Sequence, residues 1–345
     1  MTFNKIMSEN SKSPRTEQFS GCLIGQCLGD ALGCPVEGFS ASECQDYVEQ
    51  VLKAGHFPEY SRGQLSFGQY TDDSQLAREL LQSYVACRRF DPQDYAKRIA
   101  AIFAEGRIVG YGQATVKAAR YLIQGVHWEE AGTPPPAAGN GSAMRAGLIG
   151  LMFFDDPQQL IQAAHDQGRI THQDRRCSAG AVAIAGAVAL VLQRQSIDPH
   201  QFLSQLSDWT VSIKPTFADS LRQLIGWSFL SPEQAVQFIA TSGLSSYDFN
   251  PSQGITPFVV SSVLWSLYSF LRTPEDYWET ICTAISMGGD VDTMAAMAGA
   301  ISGAYLGLEG ISSHLSHLVT DRGSWNYEEL VKLANQSYEL KMFQE

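Results

Sequence analysis

The segment that most constrains the fold of this chain runs from Ala179 to Leu192. It holds 14 consecutive apolar or small residues, most of them alanine, glycine and valine, and no charged residue. That length is too short to span a bilayer, and the small side chains suit a helix that is buried on every side. We therefore expect this helix in the interior of a compact protein with no membrane partner.

The rest of the chain also shows helical spacing of its apolar residues, and strand-like alternation never extends over more than four residues. We predict an all-α fold, a single compact multi-helix domain at residues 17–345, preceded by a flexible polar tail at residues 1–16. The predicted helices lie at residues 19–32, 40–54, 75–89, 92–105, 115–124, 142–154, 157–167, 178–192, 199–208, 216–229, 231–241, 256–271, 274–286, 294–308 and 325–342.

The first predicted helix carries Gly21, Gly25 and Gly29 at intervals of four residues. In a soluble protein, such a glycine ridge predicts close packing against another helix. Glu37 lies on the glycine- and proline-containing loop just beyond this helix. Taken alone, its loop position is equally compatible with a solvated carboxylate and with a functional one.

The charge of the chain limits its partners. Its net charge is −12 at pH 7, which argues against duplex nucleic-acid binding because phosphate backbones need clustered lysine and arginine. A small phosphate-bearing ligand remains compatible, since backbone N–H groups and bound cations can hold it. Seven cysteines without a C-x-x-C pair and the absence of a signal peptide predict a cytoplasmic protein with reduced thiols, which we expect to be a monomer.

The chain has two acidic clusters, with the sequence TDDS at residues 71–74 and GGDVDT at residues 288–293. Each precedes or opens a predicted helix and offers hydroxyl and carboxylate oxygens, which are the ligands that Mg²⁺ and Mn²⁺ prefer. Either cluster could instead be an ordinary helix cap, and Asp72 with Gln75 fits a capping box.

If the two clusters meet, their four aspartates would place like charges in contact and raise some of their pKa values. Two divalent ions would relieve this repulsion. Sites with two metal ions activate water and orient a leaving oxygen. The sequence supplies suitable donors twice, but it does not prove that the clusters lie together.

Two glycine-rich segments and a Thr-His pair are further candidates. Residues 110–112 (GYG) are a weak signal, more often a simple turn. Residues 139–141 (GNG) precede the helix predicted to begin at Ser142, so they form either an anion site or a plain connection. Thr171 and His172 precede the buried helix, either as its cap or as a substrate contact.

Together these motifs resemble the ADP-ribosylglycohydrolase family, which includes the dinitrogenase reductase-activating glycohydrolases. The resemblance covers about residues 19–308, and the order and spacing of six motifs make it specific. The motifs are GDALG at 29–33 with Glu37, YTDDS at 70–74, GYG at 110–112, GNGSAMR at 139–145, TH at 171–172 and GGDVDT at 288–293.

The resemblance implies an all-α fold around a binuclear Mg²⁺ or Mn²⁺ centre, with Glu37 as the catalytic residue. The implied metal ligands are Thr71, Asp72, Asp73, Asp290, Asp292 and Thr293. The implied substrate-binding residues are Gly110, Tyr111, Gly112, Gly139, Asn140, Gly141, Ser142, Met144 and His172. The implied reaction is hydrolysis of the glycosidic bond between ADP-ribose and a protein side chain, such as arginine or serine, or a small-molecule conjugate, with release of ADP-ribose.

The chain departs from the family pattern at two places. Ser74 stands where the family usually has threonine, which keeps the hydroxyl group. Ala137 and Ala138 stand where members often carry serine and an aromatic residue. If that aromatic ring stacks on adenine, another ring must do so here, or the substrate lacks a conventional adenine contact.

Two other interpretations compete with the hydrolase. One is an all-α metal phosphohydrolase of the histidine-aspartate type, for which His165 and Asp166 offer the dipeptide and His56 lies upstream. That class needs several histidine ligands, which the acidic clusters lack. The other is a catalytically silent ADP-ribose-binding or crystallin-like member of the family. Silent relatives would be expected to lose part of the metal set, whereas all six positions and Glu37 are present.

Overall fold

Several helices of this chain begin at an aspartate followed by proline. The carboxylates of Asp91, Asp156 and Asp198 accept hydrogen bonds of 2.7–3.1 Å from backbone N–H groups of the first helical turn. Those N–H groups have no partner inside the helix, and proline at the first position has no N–H to satisfy. Short local signals of this kind therefore fix where the helices start.

The computed structural model describes residues 13–59, 61, 65–244 and 254–343. The helices in that part of the chain are α1 Thr16–Gly33, α2 Ala41–Tyr47, α3 Asp72–Cys87, α4 Pro92–Ala104, α5 Gln113–Ile123, α6 Trp128–Ala131, α7 Gly147–Phe153, α8 Pro157–Arg169, α9 Arg175–Leu192, α10 Pro199–Thr210, α11 Pro215–Trp227, α12 Pro232–Ile239, α13 Val259–Arg272, α14 Tyr277–Ser286, α15 Val291–Leu306, α16 Ser313–Ser316 and α17 Tyr327–Phe343. No β-strand forms within those ranges, where only isolated bridges join loops. The all-α prediction is confirmed.

The alanine- and glycine-rich helix α9 lies at the centre, against α7, α8, α10, α13 and α15. It has 18 residues, four more than the apolar run alone suggested, and is the one described helix long and apolar enough by composition to cross a membrane. Within the domain, however, 89% of it is buried by other helices. This is the environment expected for the core helix of a globular fold.

Helices α1 and α15 are antiparallel and touch backbone to backbone. A methyl group at Gly21, Gly25 or Gly29 would overlap a carbonyl oxygen of α15. Glycine is needed at these positions because any larger side chain would push the helices apart. The predicted glycine ridge is confirmed, and its consequence is geometric: the end of α1 meets the beginning of α15.

Three helix starts close to the acidic clusters and the GNG turn differ from the prediction. Helix α3 begins at Asp72 and α15 at Val291, so three of the four clustered aspartates lie inside helices. The helix predicted at 142–154 is wrong over its first five residues: residues 140–142 form a 3₁₀ turn, and α7 starts only at Gly147. Its Ser142 hydroxyl donates to the Cys177 carbonyl oxygen at 3.1 Å, so it caps no helix.

The predicted N-terminal tail at residues 1–16 falls mainly on residues 1–12, which lie outside the described part of the chain. Helix α1 begins at Thr16. Just before it, the exposed Arg15 forms an ion pair of 2.6 Å with Glu309.

Candidate metal centre

The first acidic cluster is held in place by Asp30, on the last turns of α1. Its fully buried carboxylate accepts hydrogen bonds from the backbone N–H groups of Thr71, at 2.9 and 3.0 Å, and Ser74, at 3.1 Å. These are N–H groups at the start of α3, which lack partners within the helix. Asp30 thus caps α3 from a neighbouring helix and leaves Asp72 and Asp73 free of that task.

The second cluster is positioned by two glycines with positive φ, Gly288 (φ 72°) and Gly289 (φ 89°). The backbone at Gly289 hydrogen-bonds to Gly38 and Phe39 on one side, and a bridge joins it to Ile255 on the other. A side chain at Gly289 would overlap the Ile255 backbone, so glycine is required here for space as well as for conformation. This turn ties Asp290 to the loop that carries Glu37.

The ordinary-cap interpretation of both clusters is wrong. Thr71 and Asp290 are the N-cap residues of α3 and α15, yet neither side chain accepts a capping hydrogen bond. Gln75 forms no capping box with Asp72. Its side chain instead accepts a bond of 2.8 Å from the Val109 N–H and donates to the Arg107 carbonyl oxygen at 3.0 Å.

The two clusters do meet, and their carboxylates form two adjoining groups. Oxygens of Asp30, Asp73 and Asp292 all lie within 4.8 Å of one another, and so do oxygens of Glu37, Asp290 and Asp292. Asp292 belongs to both groups. Three carboxylates within this distance match the spacing of donors around one ion, so the arrangement offers two neighbouring cation positions.

The remaining predicted ligands border these groups. The Thr71 hydroxyl lies 3.0 Å from Asp73 Oδ2, and the Thr293 hydroxyl interacts with both Asp73 and Asp290. Asp72 belongs to neither group of three, but its charge acts on them. Its own backbone N–H donates to the Val109 carbonyl oxygen at 2.7 Å.

Burial and mutual repulsion make the charged form of these aspartates costly. Burial raises the pKa of Asp30 to about 7 and of Asp290 to about 6, although hydrogen bonds from Ser74 and Thr71 to Asp30 and from Asn140 to Asp290 oppose it. Burial, and then the charges of Asp30 and Asp290, raises the pKa of Asp72 to about 8. Burial and then the adjacent carboxylates also raise the pKa values of Asp73 and Asp292 well above the ordinary range. Either protons or cations must offset this accumulated negative charge.

The donor atoms favour cations. Asp73 Oδ1 is buried, and no described residue hydrogen-bonds to it. An unpartnered buried carboxylate oxygen is costly unless a cation lies beside it. The groups contain oxygen donors and, among the described residues, no histidine or cysteine, which suits Mg²⁺ or Mn²⁺ better than zinc. The residues present therefore fit a divalent metal centre.

Glu37 lies at the edge of this centre, half-buried, directly after the 3₁₀ turn Cys34–Val36. Its carboxylate adds to the repulsion that raises the pKa values of Asp290 and Asp292. The next residue, Gly38, has a φ of 81° and donates its N–H to the Gly289 carbonyl oxygen at 2.7 Å. The structure thus makes the predicted catalytic residue the outermost member of the second group of carboxylates.

The GNG turn at residues 139–141 contacts the same centre. The Asn140 side-chain amide donates to Asp290 Oδ2 at 2.5 Å and to the Ser262 hydroxyl at 3.2 Å. Asn140 therefore faces a predicted metal ligand with its side chain. Met144 is buried below the turn, and its carbonyl oxygen accepts a bond of 3.0 Å from Gln26.

His172 is buried beside this turn, with its Nδ1 2.8 Å from the Thr171 hydroxyl. The Thr-His pair does not cap α9, because Asp174 is the N-cap and accepts from the Arg176 N–H at 2.9 Å. Of the two interpretations of this pair, the cap is therefore wrong. A Cβ atom at Gly141 would lie 2.7 Å from the ring of His172, so the ring covers the turn closely.

The GYG segment lies against Asp72. Gly110 has a φ of 69°, and a Cβ atom there would lie 3.1 Å from Asp72 Oδ1. Tyr111 is 61% exposed and packs obliquely against Phe103, while Gly112 is the N-cap of α5. The segment is therefore available to a ligand that approaches the first acidic cluster.

The sequence prediction missed one residue of the centre and gave another a different role. Asp30 was visible in the GDALG motif, but nothing local indicates that it caps a helix 41 residues later. Asn140 was predicted to bind substrate, whereas its bond to Asp290 joins positions 150 residues apart. Such long-range contacts leave no periodic signal in a single sequence.

The family profile described as ADP-ribosylglycohydrolase matches residues 11–344, nearly the whole chain. The chain belongs to the ADP-ribosylglycohydrolase family. ADP-ribosylglycohydrolases are glycosyl hydrolases, so this chain is a hydrolase of that class, as its six motifs indicated.

Individual relatives match over nearly their full length. ADP-ribosylhydrolase ARH3 of Gallus gallus is 31% identical, covering 95% of this chain and 94% of the relative. An uncharacterized protein of Archaeoglobus fulgidus is 30% identical, covering 94% and 97%. A solved structure, named ADP-ribosylglycohydrolase-related protein complex, has a TM-score of 0.69 at 25% identity and covers 95% of this chain and 99% of its own.

The described residues do not support the interpretation of the chain as a histidine-aspartate phosphohydrolase. His165 lies on α8, where its Nδ1 is 2.9 Å from the Ser178 hydroxyl. His56 is exposed on a loop. Neither histidine belongs to a group of candidate metal ligands in the described ranges.

Proposed function

We propose that this protein hydrolyses the glycosidic bond between ADP-ribose and an acceptor, with two Mg²⁺ or Mn²⁺ ions, and releases ADP-ribose. The observation that carries the proposal is the pair of carboxylate groups that share Asp292 and include Glu37 at the edge. Two adjacent cation positions beside a half-buried glutamate suit hydrolysis of a sugar bond better than simple ligand binding.

The ligands proposed to hold the ions are Thr71, Asp72, Asp73, Asp290, Asp292 and Thr293. Bound there, divalent ions would supply Lewis acidity toward ribose hydroxyl groups and a water molecule. Glu37 would exchange a proton with that water or with the leaving group, since it borders the carboxylate groups without being enclosed by them.

The substrate would lie across the centre between two loops. We propose that the GYG segment 110–112 and the GNG turn 139–141 hold the diphosphate and riboses, because the first lies against Asp72 and the second contacts Asp290. Ala137 and Ala138 offer no ring for adenine. Candidate acceptors are arginine or serine side chains and small-molecule conjugates of ADP-ribose.

The test is a panel of ADP-ribosylated substrates, including arginine- and serine-linked proteins and small conjugates, assayed for released ADP-ribose. Each is assayed with Mg²⁺, with Mn²⁺ and with EDTA. Release that depends on metal supports the proposal and identifies the acceptor. Silence across the whole panel, with ADP-ribose still bound, would instead support a catalytically silent member of the family.

The matched variant is Asp290→Asn, which keeps the shape of the side chain and removes one charge. We expect metal affinity and turnover to fall together. Metal binding is measured by calorimetry with Mn²⁺, alongside ADP-ribose release. Full activity with unchanged metal binding would reject Asp290 as a ligand.

A further inference from the structure

A chain of three buried side chains leads from the interior to the GNG turn. The Arg145 guanidinium, which is completely buried, donates from Nη2 to the Thr171 hydroxyl oxygen at 2.8 Å. The same hydroxyl lies 2.8 Å from Nδ1 of His172. Arg145 is itself held by Gln167, whose side chain and backbone oxygens accept from Nε and Nη2 at 2.9 Å.

This chain decides where the proton of His172 lies. Arginine can only donate hydrogen bonds, so the Thr171 oxygen accepts from Arg145. The single hydroxyl proton of Thr171 then has one acceptor among the described residues, Nδ1 of His172. A neutral imidazole that accepts at Nδ1 carries its proton on Nε2.

The other edge of the ring faces the proposed substrate. His172 Nε2 lies 3.5 Å from the Cβ position of Gly139 and 3.3 Å from that of Gly141. Within the described ranges no protein atom forms a hydrogen bond with Nε2. The absence of side chains at the two glycines leaves this N–H open toward the turn that is proposed to hold ADP-ribose.

The ring also stays neutral. Burial, and then the nearby positive charge of Arg145, lowers the pKa of His172 to about 3. A neutral Nε2–H can donate a hydrogen bond to a ribose hydroxyl or a phosphate oxygen, and its protonation does not change near neutral pH.

We propose that Thr171, oriented by Arg145, is a positioning residue that fixes His172 as the Nε2–H tautomer, so that the ring presents a donor to the bound nucleotide. This role rests on the proposed function for the identity of the ligand. The tautomer itself depends only on the three side chains. Thr171 and Arg145 act through His172 and touch no substrate.

The experiment is long-range ¹H–¹⁵N correlation NMR of the histidine rings, with His172 assigned from a His172→Gln variant, together with calorimetry of ADP-ribose binding. In the wild type we expect the Nε2–H pattern for His172, unchanged across about pH 6–9 because its pKa lies far below that range. Thr171→Val removes the hydroxyl and should mix the tautomers and weaken ADP-ribose binding about tenfold, the effect of one well-placed hydrogen bond. Thr171→Ser should restore both.

The matched control is Thr210→Val on α10, where an equally buried threonine hydrogen-bonds only to backbone carbonyls. It should leave the His172 spectrum and ADP-ribose affinity unchanged. Mn²⁺ affinity and the circular dichroism melt of every variant show whether it is folded. Thr171→Ser keeps the hydroxyl but lacks the methyl group. If it restores the Nε2–H tautomer, the hydroxyl and not the packing of the methyl group fixes the tautomer.

An Nδ1–H pattern in the wild type, or an unchanged pattern in Thr171→Val, would overturn the proposal. If the wild type shows the Nε2–H tautomer but binds no ADP-ribose, the proposed function fails while the hydrogen-bond chain stands. If ADP-ribose binds equally well to wild type and Thr171→Val despite mixed tautomers, Nε2–H is not a donor to the nucleotide.

Discussion

Asn140 joins the substrate turn to the metal centre through one side chain. Its amide donates to Asp290 Oδ2, and this bond lowers the pKa of Asp290 against the stronger effect of burial. Residues that hydrogen-bond to metal ligands orient them and tune their affinity. In this geometry the Asn140 side chain orients the proposed metal ligand Asp290, while the backbone of the same turn remains available to a nucleotide.

Asn140→Ala should therefore weaken metal binding. Loss of the donor leaves Asp290 without its hydrogen bond and raises its pKa further, so protons compete better with cations. We expect Mn²⁺ affinity to fall by about 10-fold or more, the usual effect of removing such a partner. Calorimetry at constant pH measures this. Ser262→Ala, which removes only the weaker contact of Asn140 at 3.2 Å, is the control and should have little effect.

At the level of helices, the centre depends on how closely α1 approaches α15. The glycines of α1 pack on Ala295, Gly299 and Gly303, so the backbones touch. The last turns of α1 then deliver Asp30 to α3, while the first turn of α15 delivers Asp292 to the same place. Small residues in these helices thus determine the spacing of the carboxylates.

Gly29→Ala should separate the two helices, because the new methyl group would overlap the Ala295 carbonyl oxygen. We expect a loss of stability of about 1–3 kcal/mol from overpacking, together with weaker metal binding. Denaturant unfolding and Mn²⁺ calorimetry test both. Gly226→Ala on α11 is the control: a Cβ there meets nothing within 4 Å, so it should be neutral or slightly stabilising. Equal behaviour of the two variants would contradict the role given to the ridge.

A second helix-level prediction concerns Gln75 of α3, which ties the segment before GYG to the first acidic cluster. Gln75→Met removes its bonds to Val109 and Arg107, and a third bond of 2.9 Å to Asp321 Oδ1, while keeping the side chain's length. We expect faster hydrogen exchange at residues 107–112 and weaker ADP-ribose binding, with smaller change in metal affinity. Gln82→Met is the control on the same helix, since the Gln82 amide nitrogen has no partner among the described residues. Unchanged exchange in Gln75→Met would show that the segment is held by other contacts.

The helices were predictable from sequence because their signals are local. Aspartate-proline starts such as Asp156 and the apolar run of α9 each act within one helix. The glycine ridge indicated close packing, but the partner, α15, lies more than 250 residues later and carries its own small residues. Most of the acidic residues of the centre were predictable too. Their assembly was not, because it depends on Asp30 and on a turn with two positive-φ glycines.

Across the whole molecule, an acidic chain is proposed to bind an anionic ligand. The net charge of −12 would repel a diphosphate unless the electrostatic potential at the binding site were positive. Cations at the carboxylate groups would reverse the sign there, and the buried Arg145 lies beneath the GNG turn. Ligand affinity should therefore depend on metal ions even where the ligand does not contact them.

The same carboxylates link stability to pH. In the unfolded chain an aspartate loses its proton near its ordinary value of 3.8, whereas in the folded, metal-free protein Asp290, Asp30 and Asp72 keep theirs until about 6, 7 and 8. The folded state thus binds more protons than the unfolded state over that interval. Its stability is greatest at low pH within the interval and falls as pH rises through the folded pKa values. Metal ions replace the lost protons, so their stabilising effect should grow as pH rises.

We therefore expect the metal-free Tm to be lower at about pH 8 than at about pH 6, and the increase in Tm on adding saturating Mn²⁺ to be larger at the higher pH. Asp30 and Asp72 account for the difference, since their folded pKa values of about 7 and 8 lie in this window. Each lowers the free energy of unfolding by about 1.4 kcal/mol per pH unit until its folded pKa is passed. Thermal unfolding with EDTA or Mn²⁺ at both pH values measures this.

Self-repulsion of a protein with charge −12 also destabilises at higher pH, and Asp72→Asn separates the two causes. That variant removes one buried titrating carboxyl and changes the net charge by only one unit, so it should flatten the dependence. An equal Mn²⁺ effect at both pH values would show that the buried carboxylates do not exchange protons for metal.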